Sequence, residues 1–379
     1  MKYKGALIAD IHFGALPIDE LYDELQIFLN YIDEKPIDFI IILGDWFDRK
    51  LNMNSRDAKF STIAFERICQ IAMNNNIKVR MIQGTESHDN NQLEILEILA
   101  KNKQIDFKVF YEVGEEELFP NFNVLYIPEE YITSFDEKYG EYVNKTYDMI
   151  FGHGVIQEVK FAAYLQQTEK TMKKAPIFKS NMLTNMCLGP IFFGHVHTRD
   201  VFHDRVYYVG SYSRWIFGEE EDKGFYMVKY DTDNKEYDTK FIINDKAKRY
   251  DTIEIYDKDT GFYKLDKENQ IKYIMELLNN FDYDFIRLQF YIPDDYSDYN
   301  FLISILTEAF SKYKNVKLDF KVNSKIKSRK QVEEKINILM ERYGFIFDNK
   351  IDCYSKIRQF IIEKFNKDIS IDKIKDYTN

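Results

Sequence analysis

Short motifs of histidine and aspartate follow apolar runs, and this repeated placement constrains the fold more than any other feature of the sequence. Five of the six histidines lie in these motifs. The motifs are Asp10-Ile11-His12, Gly44-Asp45-Trp46-Phe47-Asp48, Gly84-Thr85-Glu86-Ser87-His88-Asp89, Gly152-His153-Gly154 and Gly194-His195-Val196-His197. Because the carboxyl ends of adjacent strands meet at one crevice of a sheet, we expect these side chains to converge on a single site.

The apolar runs and the segments between them predict an α/β layer fold. Runs at 5–9, 39–43, 79–82, 149–151 and 191–193 are short and continuous, as in buried strands. The segment between the first two runs has a helical face formed by Leu21, Leu25, Phe28 and Ile32. The segment between the second and third has one formed by Phe60, Ile63, Ala64, Ile68 and Ile71. This β-α-β-α-β order indicates layers of helices on sheets.

Three domains are predicted from the order of these patterns. Strand signals dominate after residue 206, and the first domain is expected to cover 1–245. Strands at 250–256, 286–292 and 316–320, with helices near 271–278 and 301–310, predict a small α/β cap over 246–325. Residues 326–379 are expected to form a C-terminal pair of helices. A capping box of Ser328 with Gln331 begins the first of them.

Charge and cysteine content bear on the partners and the compartment. A formal net charge of −11 is unusual for a protein that binds nucleic acid, although cations bound to carboxylates would cancel part of it. Cys69, Cys187 and Cys353 are scattered and odd in number, which predicts a reducing cytoplasm rather than a disulfide framework. No apolar run approaches the roughly 18 residues of a membrane span. We therefore expect a cytoplasmic protein with no membrane partner.

A local excess of positive charge precedes the last motif. The stretch contains two glutamates and five lysines, which are Lys160, Lys170, Lys173, Lys174 and Lys179. A solvated face is the ordinary explanation of such a stretch. A rim that contacts phosphates beside the site is the alternative.

The residue types in the motifs indicate bound metal ions. Imidazole together with carboxylate suits manganese, iron or zinc better than calcium or magnesium alone. The motifs contain no cysteine, which weighs against a structural zinc site. A pair of cations held by such groups can bind a phosphodiester and lower the pKa of a bound water.

The motif pattern D-x-H, GD-x-x-D, G(N)HD, GH and GHxH resembles that of the calcineurin-like metallophosphoesterases. A second stretch is similar to the SbcD nucleases, which are relatives of the meiotic-recombination-eleven nuclease. It runs from Val209-Gly210-Ser211 through Phe217-Gly218-Glu219 to Lys223-Gly224-Phe225. The first resemblance implies a four-layer α-β-β-α core. The second implies a DNA exonuclease and endonuclease that uses two manganese ions, with magnesium as the alternative.

The resemblance also implies roles for individual residues. The first metal would be held by Asp10, His12, Asp45 and His197, and the second by Asp45, His153 and His195. His88 would bind the scissile phosphate and stabilise the leaving group. Asp89 could orient His88 and Asp48 could support a ligand, although both could equally cap the helices that follow them.

The sequence departs from the family pattern in one motif. The family places asparagine directly before the catalytic histidine, as the remaining ligand of the second metal. Here the stretch between Gly84 and His88 is two residues longer and contains no asparagine. Ser87 takes the position before His88, and we expect it to complete the second site. Glu86 is the competing donor.

The expected partners follow from the SbcD resemblance. They are DNA, an SbcC-type ATPase with a long coiled coil, and a second copy of the nuclease in a homodimer. Two other functions stay open at this point. The chain could hydrolyse a small phosphodiester or a phosphoprotein, or it could be a scaffold that binds DNA and the ATPase but cuts poorly.

The apolar stripes of 328–379 generate a prediction about the ATPase partner. They include Val332, Ile336 and Leu339, and then Ile357, Phe360 and Ile361, which two short helices cannot bury against each other alone. A chain that ends near residue 325 is expected to fold and to keep its basal manganese-dependent cutting of DNA. It should no longer co-elute with the ATPase in size-exclusion chromatography. Undiminished co-elution would place the partner interface elsewhere.

Overall fold

The structure is a computed structural model, and it describes residues 1–158, 175–219, 221–256, 260–280, 283–293, 296, 299–322, 355 and 358. Apart from Ser355 and Arg358, the predicted helical pair lies outside these residues. So do four of the five lysines before the last motif. Lys179 is described and is exposed.

A six-stranded sheet is built around the first three predicted strands. Its strands are β1 (Lys2–Ile8), β2 (Phe39–Leu43), β3 (Lys78–Ile82), β4 (Phe107–Phe110), β13 (Gly224–Asp231) and β14 (Glu236–Ile243). They lie in the order β14-β13-β1-β2-β3-β4. β1 to β4 are parallel, and β13 and β14 continue the sheet as an antiparallel hairpin beside β1. All four parallel strands therefore end at the same edge.

A second six-stranded sheet carries the last two histidine motifs. Its strands are β5 (Gly114–Phe119), β6 (Phe122–Ile127), β7 (Met149–His153), β10 (Ile191–Gly194), β11 (Asp200–Phe202) and β12 (Val206–Tyr208). They lie in the order β11-β12-β10-β7-β6-β5, and the inner strands β6, β7, β10 and β12 are parallel. A two-stranded sheet of β8 (Val155–Ile156) and β9 (Ile177–Phe178) lies apart from it in the topology.

Alternating apolar residues separate the two faces of each sheet. Leu7, Phe39 and Ile41 of the first sheet form one core with Tyr126 and Phe151 of the second. The residues between them in sequence point outward, towards helices. The outer face of the first sheet packs on α1 (Ile18–Glu34), α2 (Arg56–Asn75) and α3 (Glu94–Lys103), and that of the second on α4 (Phe135–Tyr139) and α5 (Ser180–Met186). The predicted four-layer α-β-β-α arrangement is confirmed.

The two predicted helix faces agree with the structure except at one residue. Leu21, Leu25, Phe28 and Ile32 are all buried on α1. On α2, Ile63 is 45% exposed, and the buried face instead includes Phe65. Ile63 and Ala64 are adjacent and so lie about 100° apart on a helix. The sheet therefore covers the side that carries Ala64, Phe65 and Ile68.

The predicted strands and helices of the cap are present. They are β15 (Tyr250–Tyr256), α6 (Lys267–Asn279), β16 (Phe285–Ile292), α7 (Tyr299–Phe310) and β17 (Val316–Val322). The three strands form a sheet in the order β15-β16-β17. By its internal contacts the chain divides into two compact units, and the first comprises Met1–Glu254, Lys272–Gln289 and Thr307–Asp319. Among the described residues, no helix is both long enough and apolar enough to cross a membrane.

Candidate metal centre

The histidine and aspartate motifs form tight loops at the carboxyl edge of both sheets. Four residues of these loops have left-handed backbone conformations, with φ of 49° at Asp10, 53° at His12, 50° at Asp45 and 87° at His195. Such a conformation costs a non-glycine residue about 1–3 kcal/mol and is maintained only where the surroundings enforce it. Four strained residues around one point indicate that the loops are shaped for the position of their side chains.

Gly44 and Gly84 allow the loops to approach each other. Gly44 has φ of 84°, and a Cβ there would lie 2.3 Å from Nδ1 of His153. A Cβ on Gly84 would lie 2.2 Å from Oδ1 of Asp45. Both distances are far below van der Waals contact, so these positions need glycine because side chains of the site occupy the space.

Asp10, His12 and His197 form one group of potential ligands. Each offers an atom within 4.8 Å of the others. Nε2 of His12 lies 3.8 Å from Oδ1 of Asp10 and 3.6 Å from Oδ2 of Asp45. The backbone N–H of His195 donates to both oxygens of Asp10, at 3.0 and 3.1 Å. The structure thus brings together the residues predicted for the first metal.

Glu129, His153 and His195 form a second group within the same 4.8 Å limit, and Asp45 joins the two groups. Oδ2 of Asp45 lies 3.4 Å from Nε2 of His153. Ligand atoms that surround one cation at about 2.1 Å are separated from each other by roughly 3.0–3.4 Å. The spacing in this group therefore fits a cation that shares Asp45 with the first.

His153 gives the clearest test of whether the residues fit a cation. Its Nδ1 contacts the carbonyl of Leu43 at 2.7 Å and can only donate there, so in the neutral ring Nε2 carries a lone pair. Nε2 is buried and has no hydrogen-bond partner among the described residues. It faces the carboxylate of Asp45. A lone pair directed at a buried carboxylate is repulsive, so this arrangement requires positive charge, which a second proton on the ring supplies in the metal-free chain and a divalent cation would supply in its place.

The raised pKa values of His153 and His12 also indicate that positive charge is favoured at this site. Burial alone would lower the pKa of His153, but Asp45, Asp10 and Glu129 raise it to about 10. Burial likewise opposes the charge on His12, whereas Asp10, Asp48 and Asp45 raise its pKa to about 9. Without metal, both rings therefore carry a second proton and a positive charge at neutral pH. A bound cation would displace one proton from each ring.

Outer residues hold two of the ligands. Oδ1 of Asp48 lies 3.7 Å from Nδ1 of His12, so Asp48 flanks this imidazole as predicted for a supporting residue. Oε1 of the buried Glu219 lies 3.3 Å from Nδ1 of His197. The Trp215 ring contacts both imidazoles edge-on, at centroid distances of 4.2 Å to His12 and 4.7 Å to His197. Carboxylates behind ligating histidines fix the tautomer that leaves the other nitrogen free for a metal.

His88 lies beside the shared aspartate. Its Nδ1 is 3.0 Å from Oδ2 of Asp45, and its side chain is 29% exposed, more than those of the other histidines near Asp45. His88 could therefore reach both the centre and a substrate phosphate.

Asp89 has a different environment from the one expected. Its buried carboxylate accepts the backbone N–H groups of Asp45, Phe47 and Gly84 at 2.8–3.2 Å rather than orienting His88. It therefore binds the second and third motifs to each other. Burial and the charge of Asp45 raise its pKa to about 6.

The two residues proposed to replace asparagine are not brought into the buried clusters. Glu86 and Ser87 are both exposed. Thr85, directly after Gly84, instead donates its backbone N–H to Oδ1 of Asp45 at 2.7 Å. The two extra residues extend outward, because Gly84 and Asp89 tether both ends of the loop.

Glu129 and Glu219 are the residues that motif reasoning missed. Glu129 follows the apolar strand β6, as the predicted ligands follow their strands, and this position was the available signal. Glu219 lies in the stretch that resembles the SbcD nucleases, but no spacing in the sequence connects it with His197.

The fold and the clustered histidine and carboxylate groups define a metal-dependent phosphoesterase. Residues 4–233 match the calcineurin-like phosphoesterase family, and the chain belongs to it. No curated protein matches the chain. Among solved structures it is similar to TT1561 of Thermus thermophilus, with 8% identity, a TM-score of 0.34, and coverage of 64% of this chain and 99% of that one. It is also similar to a dimetal phosphatase from Danio rerio, with 11% identity, a TM-score of 0.31, and coverage of 60% and 92%.

The different positions of His88 and Asp45 generate the first prediction from the site. His88→Ala should lose most phosphodiesterase activity while its manganese content stays near that of the wild type, because His88 is expected to act on phosphate. Asp45→Ala should lose both, because Asp45 joins the two groups of ligands. Metal analysis of dialysed protein, together with activity, measures this. Full activity in His88→Ala would remove it from catalysis, and lost metal would make it a ligand.

The raised pKa values of His12 and His153 generate a prediction about pH. Both lie above 7, so metal binding at pH 7 should release about two protons per pair of cations. Affinity should therefore rise as the pH increases from 6 towards 9. Titration calorimetry in buffers with different ionisation enthalpies counts these protons. Binding without proton release, at an affinity independent of pH, would contradict the assignment of these two ligands.

Proposed function

We propose that this phosphoesterase is a DNA nuclease of the SbcD type, which uses two manganese ions to process DNA ends in break repair and recombination. Magnesium is the alternative metal. In this proposal the chain acts as a homodimer with an SbcC-type coiled-coil ATPase, which residues 326–379 would bind.

The observation that carries the proposal is the position of the stretch 209–225. This is the stretch that resembles the SbcD nucleases, and it builds the wall of the first metal group. The N–H of Ser211 donates to the carbonyl of His197 at 3.0 Å. Trp215 and Glu219 contact imidazoles of the group, as described above. The stretch that resembles the SbcD nucleases therefore contacts the candidate metal centre, which supports the proposal.

Two buried cationic side chains hold this stretch through hydrogen bonds and an ion pair. Nζ of Lys223, whose side chain is 1% exposed, donates to the carbonyl of His197 at 2.9 Å and also pairs with Glu221. Arg214 donates to the carbonyls of Glu221 and Ala247. A buried cation requires such partners. Lys223 thereby connects this stretch to the backbone of His197.

The site residues suit hydrolysis of a phosphodiester. When bound, the two cations would polarise the phosphate and supply a hydroxide at neutral pH. Asp45 is fixed for its shared position by the N–H of Thr85 and by His88. His88, at the more open side, can donate to a phosphate oxygen or to the leaving oxygen.

Cleavage assays on three substrate classes test the function. The purified chain should cut hairpin or plasmid DNA with manganese, faster when a coiled-coil ATPase and ATP are present, and Asp45→Ala should abolish cutting. The other substrates are bis-p-nitrophenyl phosphate and a phosphopeptide. Turnover of either without any DNA cleavage would favour a small-substrate or phosphoprotein esterase. DNA and ATPase binding without cleavage of any substrate would favour a scaffold.

A further inference from the structure

The motif that departs from the family pattern leaves the second metal without its expected neutral amide ligand. Counted from Gly84, the position of the asparagine is taken by Thr85. Its Oγ1 lies 3.3 Å from Oδ2 of Asp45 and 3.4 Å from Oε2 of Glu129. A hydroxyl carries one proton and can donate to one of these oxygens at a time. Thr85 is therefore placed between two carboxylates.

Glu129 lies beyond the end of a strand of the second sheet and approaches Thr85, the residue at the position of the family's asparagine. It follows β6 after Pro128, and its side chain is 4% exposed. Oε2 lies 2.8 Å from Nδ1 of His195 and 3.8 Å from Nε2 of His153. One oxygen of Glu129 thus approaches both histidines assigned to the second metal.

The unpartnered nitrogen of His153 is an independent sign of a cation at this point. Nε2 lies 3.4 Å from Oδ2 of Asp45 and 3.8 Å from Oε2 of Glu129 and makes no hydrogen bond to either, so two carboxylates converge on one ring nitrogen. A carboxylate that only oriented His195 would need contact with Nδ1 of that ring alone. The approach of the same oxygen to His153 as well suits a carboxylate that would hold a cation together with both histidines.

We propose that Glu129 is a carboxylate ligand of the second cation and replaces the neutral amide of the family pattern, with Thr85 ordering it through its hydroxyl. This inference rests on the two-metal centre of the proposed function. It assigns the ligand to a residue outside all five motifs, and neither to Ser87 nor to Glu86.

The exchange changes the charge of the centre. Asp10 and Asp45 alone would give two carboxylates for two divalent cations. Glu129 adds a third carboxylate. Each added carboxylate strengthens the hold on a cation at a buried site. The second cation should therefore stay bound through dialysis at low manganese, instead of binding only after the first site is filled at much higher concentration.

Glu129→Ala tests the proposal through metal binding itself. Calorimetric titration with manganese gives the affinity of each site, and electron paramagnetic resonance distinguishes a spin-coupled manganese pair from isolated ions. Wild-type protein should bind two coupled ions. Glu129→Ala should weaken the second site more than about 100-fold, beyond the roughly 10–100-fold effect of losing a residue that only orients a ligand, and should show isolated manganese. Glu129→Gln should fall between them, because its amide oxygen can still bind.

Glu130→Ala is the matched control. Glu130 is the next residue, and it accepts the N–H of Val113 and pairs with Lys138. Its loss removes the same charge near the site but no proposed ligand, so both manganese ions should remain. Circular dichroism of the metal-free variants establishes that each has folded.

Two results would overturn the proposal. One is a coupled manganese pair in Glu129→Ala with the second affinity reduced less than about 100-fold. The other is loss of the second ion in Ser87→Ala or Glu86→Ala while Glu129→Ala keeps it. Neither result depends on DNA cleavage. A wild-type protein that binds two ions but leaves DNA intact would refute the nuclease function and leave the ligand assignment standing.

Discussion

The hydrogen bond from Nδ1 of His153 to the carbonyl of Leu43 is the interaction on which the site depends. It spans 2.7 Å between the ends of two strands in different sheets, and it is buried. It fixes which nitrogen of the ring faces Asp45, and so it determines where positive charge is needed. Gly44, the next residue after Leu43, cannot carry a side chain because this imidazole occupies the space. The packing of the two sheets and the geometry of the ligands therefore depend on the same contact.

Buried negative charge is the second constraint, and it explains why the centre requires cations. Asp10, Asp45 and Glu129 are all nearly inaccessible to water. Burial by itself opposes their ionisation, yet the neighbouring imidazoles hold the pKa values of Asp45 and Glu129 below the usual range. Ionised carboxylates in such an interior are stable only when paired. Protonated histidines provide this pairing in the metal-free chain, and divalent cations would provide more of it.

The sequence was sufficient for the layers of the fold and for most of the clustered residues, because both follow from local patterns. Apolar runs gave the strands, and the rule that ligands follow strands placed Asp10, Asp45 and His153 at one edge. Contacts between distant parts of the fold were not predicted, although the position of Glu129 after an apolar strand was a signal for that residue. Glu129 approaches the site through the pairing of β6 with β7, and Asp89 meets the N–H groups of a loop 42 to 44 residues away. Neither contact produces a periodic pattern in the sequence.

We propose that one aspartate, Asp45, joins two cation sites. Anomalous diffraction from crystals grown with manganese, collected on both sides of the manganese absorption edge, would locate both ions. We expect two peaks within roughly 4 Å of each other, one on each side of the Asp45 carboxylate. The first should lie among Asp10, His12 and His197, and the second among His153, His195 and Glu129. A single peak, or peaks that do not share Asp45, would rule out this shared position of Asp45.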